Sequence, residues 1–126
     1  MPYIPLEDHL PGITGLLEYR KDSGQPIREL TQILMRGLSS LTEGERELIA
    51  AVVSNGNQCK FCTTAHTAAA DLLIGDQQTS QMAKHDINSA RVSEKMKGLN
   101  GGQMKATRIL ICSNNFMINS YIAIKQ

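Results

Sequence analysis

LTEGERELIAAVVSNGNQCKFCTTAHTAAA, residues 41–70, decides the fold of this chain. Thr42 and Glu45 form a capping box: the Thr42 hydroxyl can accept from the N–H of Glu45, and the Glu45 carboxylate can reach back to the N–H of Thr42. The pair predicts a helix from Glu43 to about Ser54, with Leu48, Ile49, Ala51, Val52 and Val53 as its apolar content and Asn55-Gly56 as an αL-tolerant stop. Asn57 can cap a second helix that carries Cys59 in its first turn. Helices joined by so short a turn pack antiparallel or nearly so, and the class expected is all-α.

Working outward from that hairpin, Glu47, Cys59, Cys62 and His66 read as E-x11-C-x2-C-x3-H. In a helix running on from Cys59, steps of about 100° per residue put Cys62 roughly 60° and His66 roughly 20° from Cys59, so the three side chains share a face. Cys59 and Cys62 have the spacing of a redox-active dithiol, and His66, one turn beyond Cys62, can take a proton from that thiol. The positive end of the helix macrodipole favours a thiolate at Cys59. Antiparallel packing brings Glu47 across to His66.

Each residue also has a plainer reading. A Cys-x-x-Cys is half of many zinc sites, with His66 as a third ligand and Cys112, His9 and His85 as the spare candidates. Against zinc, the chain has no second Cys-x-x-Cys and no His-x-His. Taken alone, Glu47 reads as a solvated helix residue and His66 as an ordinary histidine; their positions relative to the cysteines set them apart. Cys112 follows Ile109-Leu110-Ile111 and reads as a small buried hydrophobe.

A length of 126 residues with 41% apolar content suits one domain, residues 1–126, with a core of its own. No apolar run approaches the roughly 18 residues of a membrane span, and MPYIPLEDHL lacks the basic start and apolar stretch of a signal peptide, so the expectation is a cytoplasmic protein. Three cysteines do not make a disulfide scaffold, and in a reducing compartment a Cys-x-x-Cys reads as redox-active. A formal net charge of +1 without a basic block offers no footprint for nucleic acid or an anionic membrane.

Residues 1–24, broken by Pro2, Pro5, Pro11 and Gly12, read as an extended arm with short helical turns, anchored by Leu10, Ile13, Leu16 and Leu17. Pro26 can open a helix to about Arg36 whose buried stripe is Ile27, Leu30, Ile33 and Leu34. Beyond a stop at Leu73-Ile74-Gly75, short helices are expected near 79–85 and 88–97, and a terminal helix over 103–124. The FMINSYIAI tail of that last segment is β-branched and aromatic enough for a strand, and helix is assigned there from resemblance.

The spacing of Glu47, Cys59, Cys62 and His66 resembles the active-site signature of the alkylhydroperoxidase AhpD-like enzymes, within the wider carboxymuconolactone decarboxylase family. Residues 10–70, through LPGITGLLEY, PIRELTQILMRG and the hairpin segment, are most similar to the branch known as uncharacterised peroxidase-related enzymes. The similarity extends through SEKMKGL, residues 93–99, and returns in ILICSNNFMINSYI, residues 109–122.

The resemblance implies a thiol-dependent peroxidase. Cys62 would be the peroxidatic cysteine, passing to a sulfenic acid, and Cys59 would resolve it into a Cys59–Cys62 disulfide. His66 would deprotonate Cys62, directly or through water, while Glu47 orients His66 and relays its proton. The reaction needs no haem, flavin or metal, and electrons would come from an external dithiol or thiol protein. Homo-oligomers from dimer to hexamer are the family's precedent.

Two departures stand out. Some relatives carry a histidine between the cysteines where this chain has Phe61, and only NGGQMKATR separates Leu99 from Ile109, where the family pattern has a further helix. A shortened, inactive homologue serving as a structural or interaction protein is therefore one alternative function, and a zinc-binding module is another. Decarboxylation has no evident use for a redox dithiol.

Overall fold

The computed structural model describes residues 4–98, which form helices α1 (Thr14–Tyr19), α2 (Lys21–Arg36), α3 (Glu43–Gly56), α4 (Lys60–Ile74) and α5 (Gln77–His85). No strand occurs among the described residues, as the all-α reading expects. The chain divides into two compact units, Met1–Gly37 and Leu38–Gln126. The terminal helix expected over 103–124, Cys112 and the shortened stretch 100–108 lie outside the described residues.

In the first unit the arm is helical from Thr14, and α2 starts a turn before Pro26. The early start has a local cause. Arg20 Nη2 pairs with Asp22 Oδ2 at 2.6 Å, Asp22 Oδ1 accepts from the Ser23 N–H at 3.0 Å, and the Gly24 N–H closes on the Arg20 carbonyl at 2.7 Å. The Arg20 guanidinium holds the Asp22 carboxyl down to about 2. Pro26 therefore sits inside the helix, where it lacks the N–H that would have reached back one turn. Arg28 Nη2 donates to Glu18 Oε1 at 2.7 Å, tying α2 to α1.

The expected stripe on α2 is turned by part of a helical step. Ile27, Thr31, Leu34 and Met35 face inward, whereas Leu30 and Ile33 are exposed. Thr31 fits an inward position because its hydroxyl donates to the Ile27 carbonyl at 2.8 Å, so no donor is left without a partner.

The second unit is organised around α3, which is buried at Gly44 and from Arg46 to Ser54. Its start is the capping box read from the sequence: the Glu45 N–H donates to Thr42 Oγ1 at 3.2 Å and the Thr42 N–H to Glu45 Oε2 at 2.8 Å. Leu48, Ile49, Val52 and Val53 meet Ala70 of α4, Ala83 of α5, and Leu41, Ile87, Ala90 and Met96 from the flanking segments in one core. A helix buried along this much of its length needs few polar residues, so its two internal charges, Arg46 and Glu47, are the informative exceptions.

The turn after α3 departs from expectation. The Asn57 N–H still bonds to the Val53 carbonyl at 3.0 Å, so the helical ladder runs past Asn55-Gly56, and the left-handed residue is Gln58 at φ 58°. That conformation lets the Cys59 N–H reach the Ser54 carbonyl at 3.1 Å, which starts α4 immediately. The cap of α4 is accordingly Cys59 itself rather than Asn57. Gly75 ends α4 in the αL conformation at φ +74°, with its N–H on the Asp71 carbonyl at 2.9 Å, as the sequence suggested.

Asp76 then caps α5 by accepting from the N–H groups of Gln78 and Thr79, and the Thr79 hydroxyl holds its carboxyl below the usual carboxylate range. The helix expected over 88–97 is only partly present. Asp86 accepts from the Asn88 N–H at 3.0 Å and its carbonyl takes the Ser89 hydroxyl, making a turn over 87–89, and helical residues resume at 94–98.

Antiparallel packing of α3 on α4 is close where Gly44 faces Leu73 and Ile74. A Cβ at position 44 would lie 2.6 Å from Ile74 Cγ1 and 3.3 Å from Leu73 Cβ. Gly44→Ala should therefore destabilise the fold by about 1–3 kcal/mol through overpacking, although alanine is the better helix former. Urea unfolding of the two proteins measures this; equal or greater stability for the alanine variant would contradict the close approach.

Candidate active site

Glu47 lies on α3, near the start of its continuously buried stretch, and His66 lies on α4, one turn beyond Cys62. The antiparallel register brings the two together: His66 Nδ1 donates to Glu47 Oε2 at 2.7 Å. The carboxylate side chain is 5% exposed and the imidazole 24%, so the ion-pairing group is inside and the ring reaches toward solvent. With Nδ1 donating to the carboxylate, Nε2 carries the basic lone pair of the ring, the arrangement by which a carboxylate fixes the tautomer of a catalytic histidine. All four residues singled out in the sequence belong to one helical hairpin.

Cys59 and Cys62 are joined as a disulfide, with their Cα atoms 5.4 Å apart. Cys59 is the N-cap of α4, and its sulfur accepts the Cys62 N–H at 3.3 Å. Its backbone is held on both sides: the Cys59 N–H donates to Ser54, while its carbonyl accepts from the Thr63 N–H at 2.9 Å and the Thr63 hydroxyl at 2.8 Å. The spacing predicts Cys59 inside the first turn. The structure moves it one position outside, where its sulfur performs the capping usually done by a hydroxyl or carboxylate oxygen. No sequence rule for caps favours cysteine, so this role was not legible in advance.

Phe61, between the cysteines, is about half exposed, and Lys60 and Ala65 beside it are exposed too. An open depression of about 600 Å³ lies next to the start of α4, lined by Asn55, Gln58, Lys60, Thr63 and Thr64. Among the described residues no three His, Cys, Asp or Glu side chains converge to hold a metal ion. Of the spare ligands considered for zinc, His85 is exposed at the end of α5, His9 stands 3.9 Å from Glu7 in the first unit, and Cys112 lies outside the described residues. No helix among the described residues is long and apolar enough to cross a membrane.

An all-α hairpin that holds a Cys-x-x-Cys at a helix start and a carboxylate–imidazole pair one turn on is the arrangement expected of the AhpD-like class. Residues 22–71, from the start of α2 to near the end of α4, match the family model of the Carboxymuconolactone decarboxylase family, and the likeness drawn from the sequence holds. The fold is shared with an uncharacterized peroxidase-related protein from Ralstonia eutropha JMP134, described as an alkylhydroperoxidase AhpD core, at a TM-score of 0.69 and 21% identity over 87% of this chain. This chain spans 58% of that protein's length. An uncharacterized peroxidase-related protein from Silicibacter sp. TM1040 superposes equally well, with a TM-score of 0.69 and 24% identity over 97% of this chain and 80% of its own. No curated protein matches the chain.

If the His66–Glu47 pair serves the dithiol, then in the reduced protein Cys62 should alkylate at pH 7 faster than Cys112, and His66→Ala should slow it by roughly tenfold. Timed iodoacetamide labelling with peptide mass analysis reads both rates. Equal rates at the two cysteines, unchanged by the substitution, would refute activation by the imidazole.

Proposed function

We propose that this protein is a thiol-dependent peroxidase that reduces hydroperoxides with a Cys59–Cys62 dithiol. The observation that carries the reading is the 2.7 Å contact between His66 and the buried Glu47 on the hairpin that holds the disulfide. The peroxidase-related descriptions of its structural neighbours support the same reaction class. An ordinary thiol is only a few per cent ionised at neutral pH, so a positioned base is what the chemistry requires.

In this scheme His66 takes the proton of Cys62, and Glu47 stabilises the imidazolium that results. The Cys62 thiolate attacks the distal oxygen of the hydroperoxide, breaking the O–O bond; the alcohol leaves with a proton and Cys62 becomes a sulfenic acid. Cys59 then attacks the Cys62 sulfur, releasing water and closing the disulfide. An external dithiol or thiol protein returns two electrons, and no haem, flavin or metal takes part. Phe61 stands where some relatives carry a second histidine, so proton transfer depends on the single His66–Glu47 pair.

Hydroperoxide treatment of the reduced protein should give an intramolecular Cys59–Cys62 disulfide, and Cys59→Ser should leave a sulfenic acid on Cys62 that dimedone traps. Mass spectrometry decides between this course and a wild-type protein in which Cys62 passes straight to sulfinic acid, a result incompatible with Cys59 as the resolving residue.

Exposed apolar side chains support a proposal of self-association. Phe61, Ala65 and Leu72 share one face of α4, with Leu72 86% exposed, and Ile13 and Ile33 are 60% and 66% exposed on α1's N-cap and α2. Apolar patches beyond a few hundred Å² usually mark an interface, and the occupant proposed here is a second copy of the chain. Light scattering at micromolar concentration should give a dimer or a larger homo-oligomer up to a hexamer; a folded, strictly monomeric protein would count against it.

A further inference from the structure

The two sulfurs of the disulfide occupy unequal positions. Cys59 precedes the first turn of α4, and its sulfur already accepts the Cys62 N–H at 3.3 Å. No acidic residue stands in that first turn. A negative charge on Cys59 Sγ would therefore meet an N–H donor and the positive end of the macrodipole together. Cys62 lies one turn in and has a different neighbour one turn further on, the His66 imidazole held by Glu47. A base is suited to removing a proton from a thiol that would otherwise keep it, whereas the capping position suits a thiolate that needs no base.

We infer that Cys59 is the leaving group when the disulfide is reduced, so that the external thiol becomes bonded to Cys62. The inference rests on reading the pair as a dithiol that cycles. In the first step the reductant's thiolate bonds to Cys62 Sγ as the Cys59–Cys62 bond breaks, and the electron pair leaves on Cys59 Sγ. In the second, the remaining thiol of the reductant loses its proton to water and attacks the reductant's own first sulfur. Cys62 then departs as a thiolate and takes a proton through His66. One dithiol is oxidised to a disulfide, and the Cys59–Cys62 bond is reduced by the same two electrons.

Thiol exchange favours this direction on two counts. The sulfur that is more stable as a thiolate leaves faster, and a thiolate of low basicity is the weaker nucleophile. Cys59 is thereby suited to leaving; in the closing half it acts because it is already a thiolate, and the electrophilic sulfenic acid offsets its lower nucleophilicity. Cys62, kept more basic and served by His66, is suited to attacking peroxide. The same asymmetry thus assigns each cysteine its part in both halves of the cycle.

The test uses the full-length oxidised protein and glutathione as a monothiol probe that cannot complete the second step. After seconds of exposure the mixture is quenched in acid, free thiols are blocked with N-ethylmaleimide, and peptides are mapped by mass. Glutathione should be found on Cys62 in about tenfold excess over Cys59, with Cys59 carrying the maleimide. In the reduced protein, the alkylation rate of Cys59 should rise to half its plateau at a lower pH than that of Cys62. Glutathione on Cys59 at equal or greater occupancy, reduction with no adduct on Cys62, or the reverse order of the two pH profiles would overturn the inference. Hydroperoxide-driven closure of the disulfide, scored in parallel, separates the two ideas: its failure removes the peroxidase reading, whereas an adduct on Cys59 removes only the leaving-group assignment.

Discussion

A carboxylate buried to 5% exposure on one helix and an imidazole on the next cannot be held 2.7 Å apart unless the two helices keep a fixed register. Several local features set that register. The capping box fixes where α3 begins, Gly44 lets the far end of α4 come close, and Gln58 in a left-handed conformation delivers Cys59 directly onto the Ser54 carbonyl. A slip of one residue in either helix would swing His66 or Glu47 by about 100° and leave a charge in the core without its partner. The pairing therefore makes packing and chemistry depend on the same few contacts.

Much of the hairpin was legible because its signals are local. A capping box, a glycine stop at Gly75 and an apolar run need only neighbours in sequence, and the structure has all three. The Glu47–His66 contact was legible one level higher, since a short connection between helices forces antiparallel packing. The errors arose where side chains capture backbone groups in ways that residue type alone does not announce. Asp22 and Arg20 start α2 before Pro26, Thr31 takes an inward position by donating to its own helix, Asp86 turns the chain where a helix was expected, and the cysteine sulfur displaces Asn57 as a cap.

Placing a sulfur at the cap has a chemical consequence that a hydroxyl there would lack. A serine or threonine cap stabilises its helix and takes no further part, whereas a cysteine cap changes charge as it is oxidised and reduced. On the proposed mechanism the helix start and the redox state of α4 would be coupled: the Cys62 N–H, which a capping oxygen would otherwise satisfy, is turned toward an atom that would gain negative charge when the disulfide opens. The proposed proton chemistry would sit one turn away on Cys62 and His66. Separating the two in this manner would let the proposed dithiol work with one histidine even though Phe61 occupies the position between the cysteines.

Turnover is the most direct measurement of the proposed activity. Hydroperoxide consumption by the reduced full-length protein, supported by a small dithiol such as dithiothreitol, should proceed through many cycles per molecule and disappear in Cys62→Ser. Consumption no faster than in the same buffer and dithiol without protein, from a sample whose Cys59–Cys62 bond has been verified as reduced and whose helical content is intact, would contradict it.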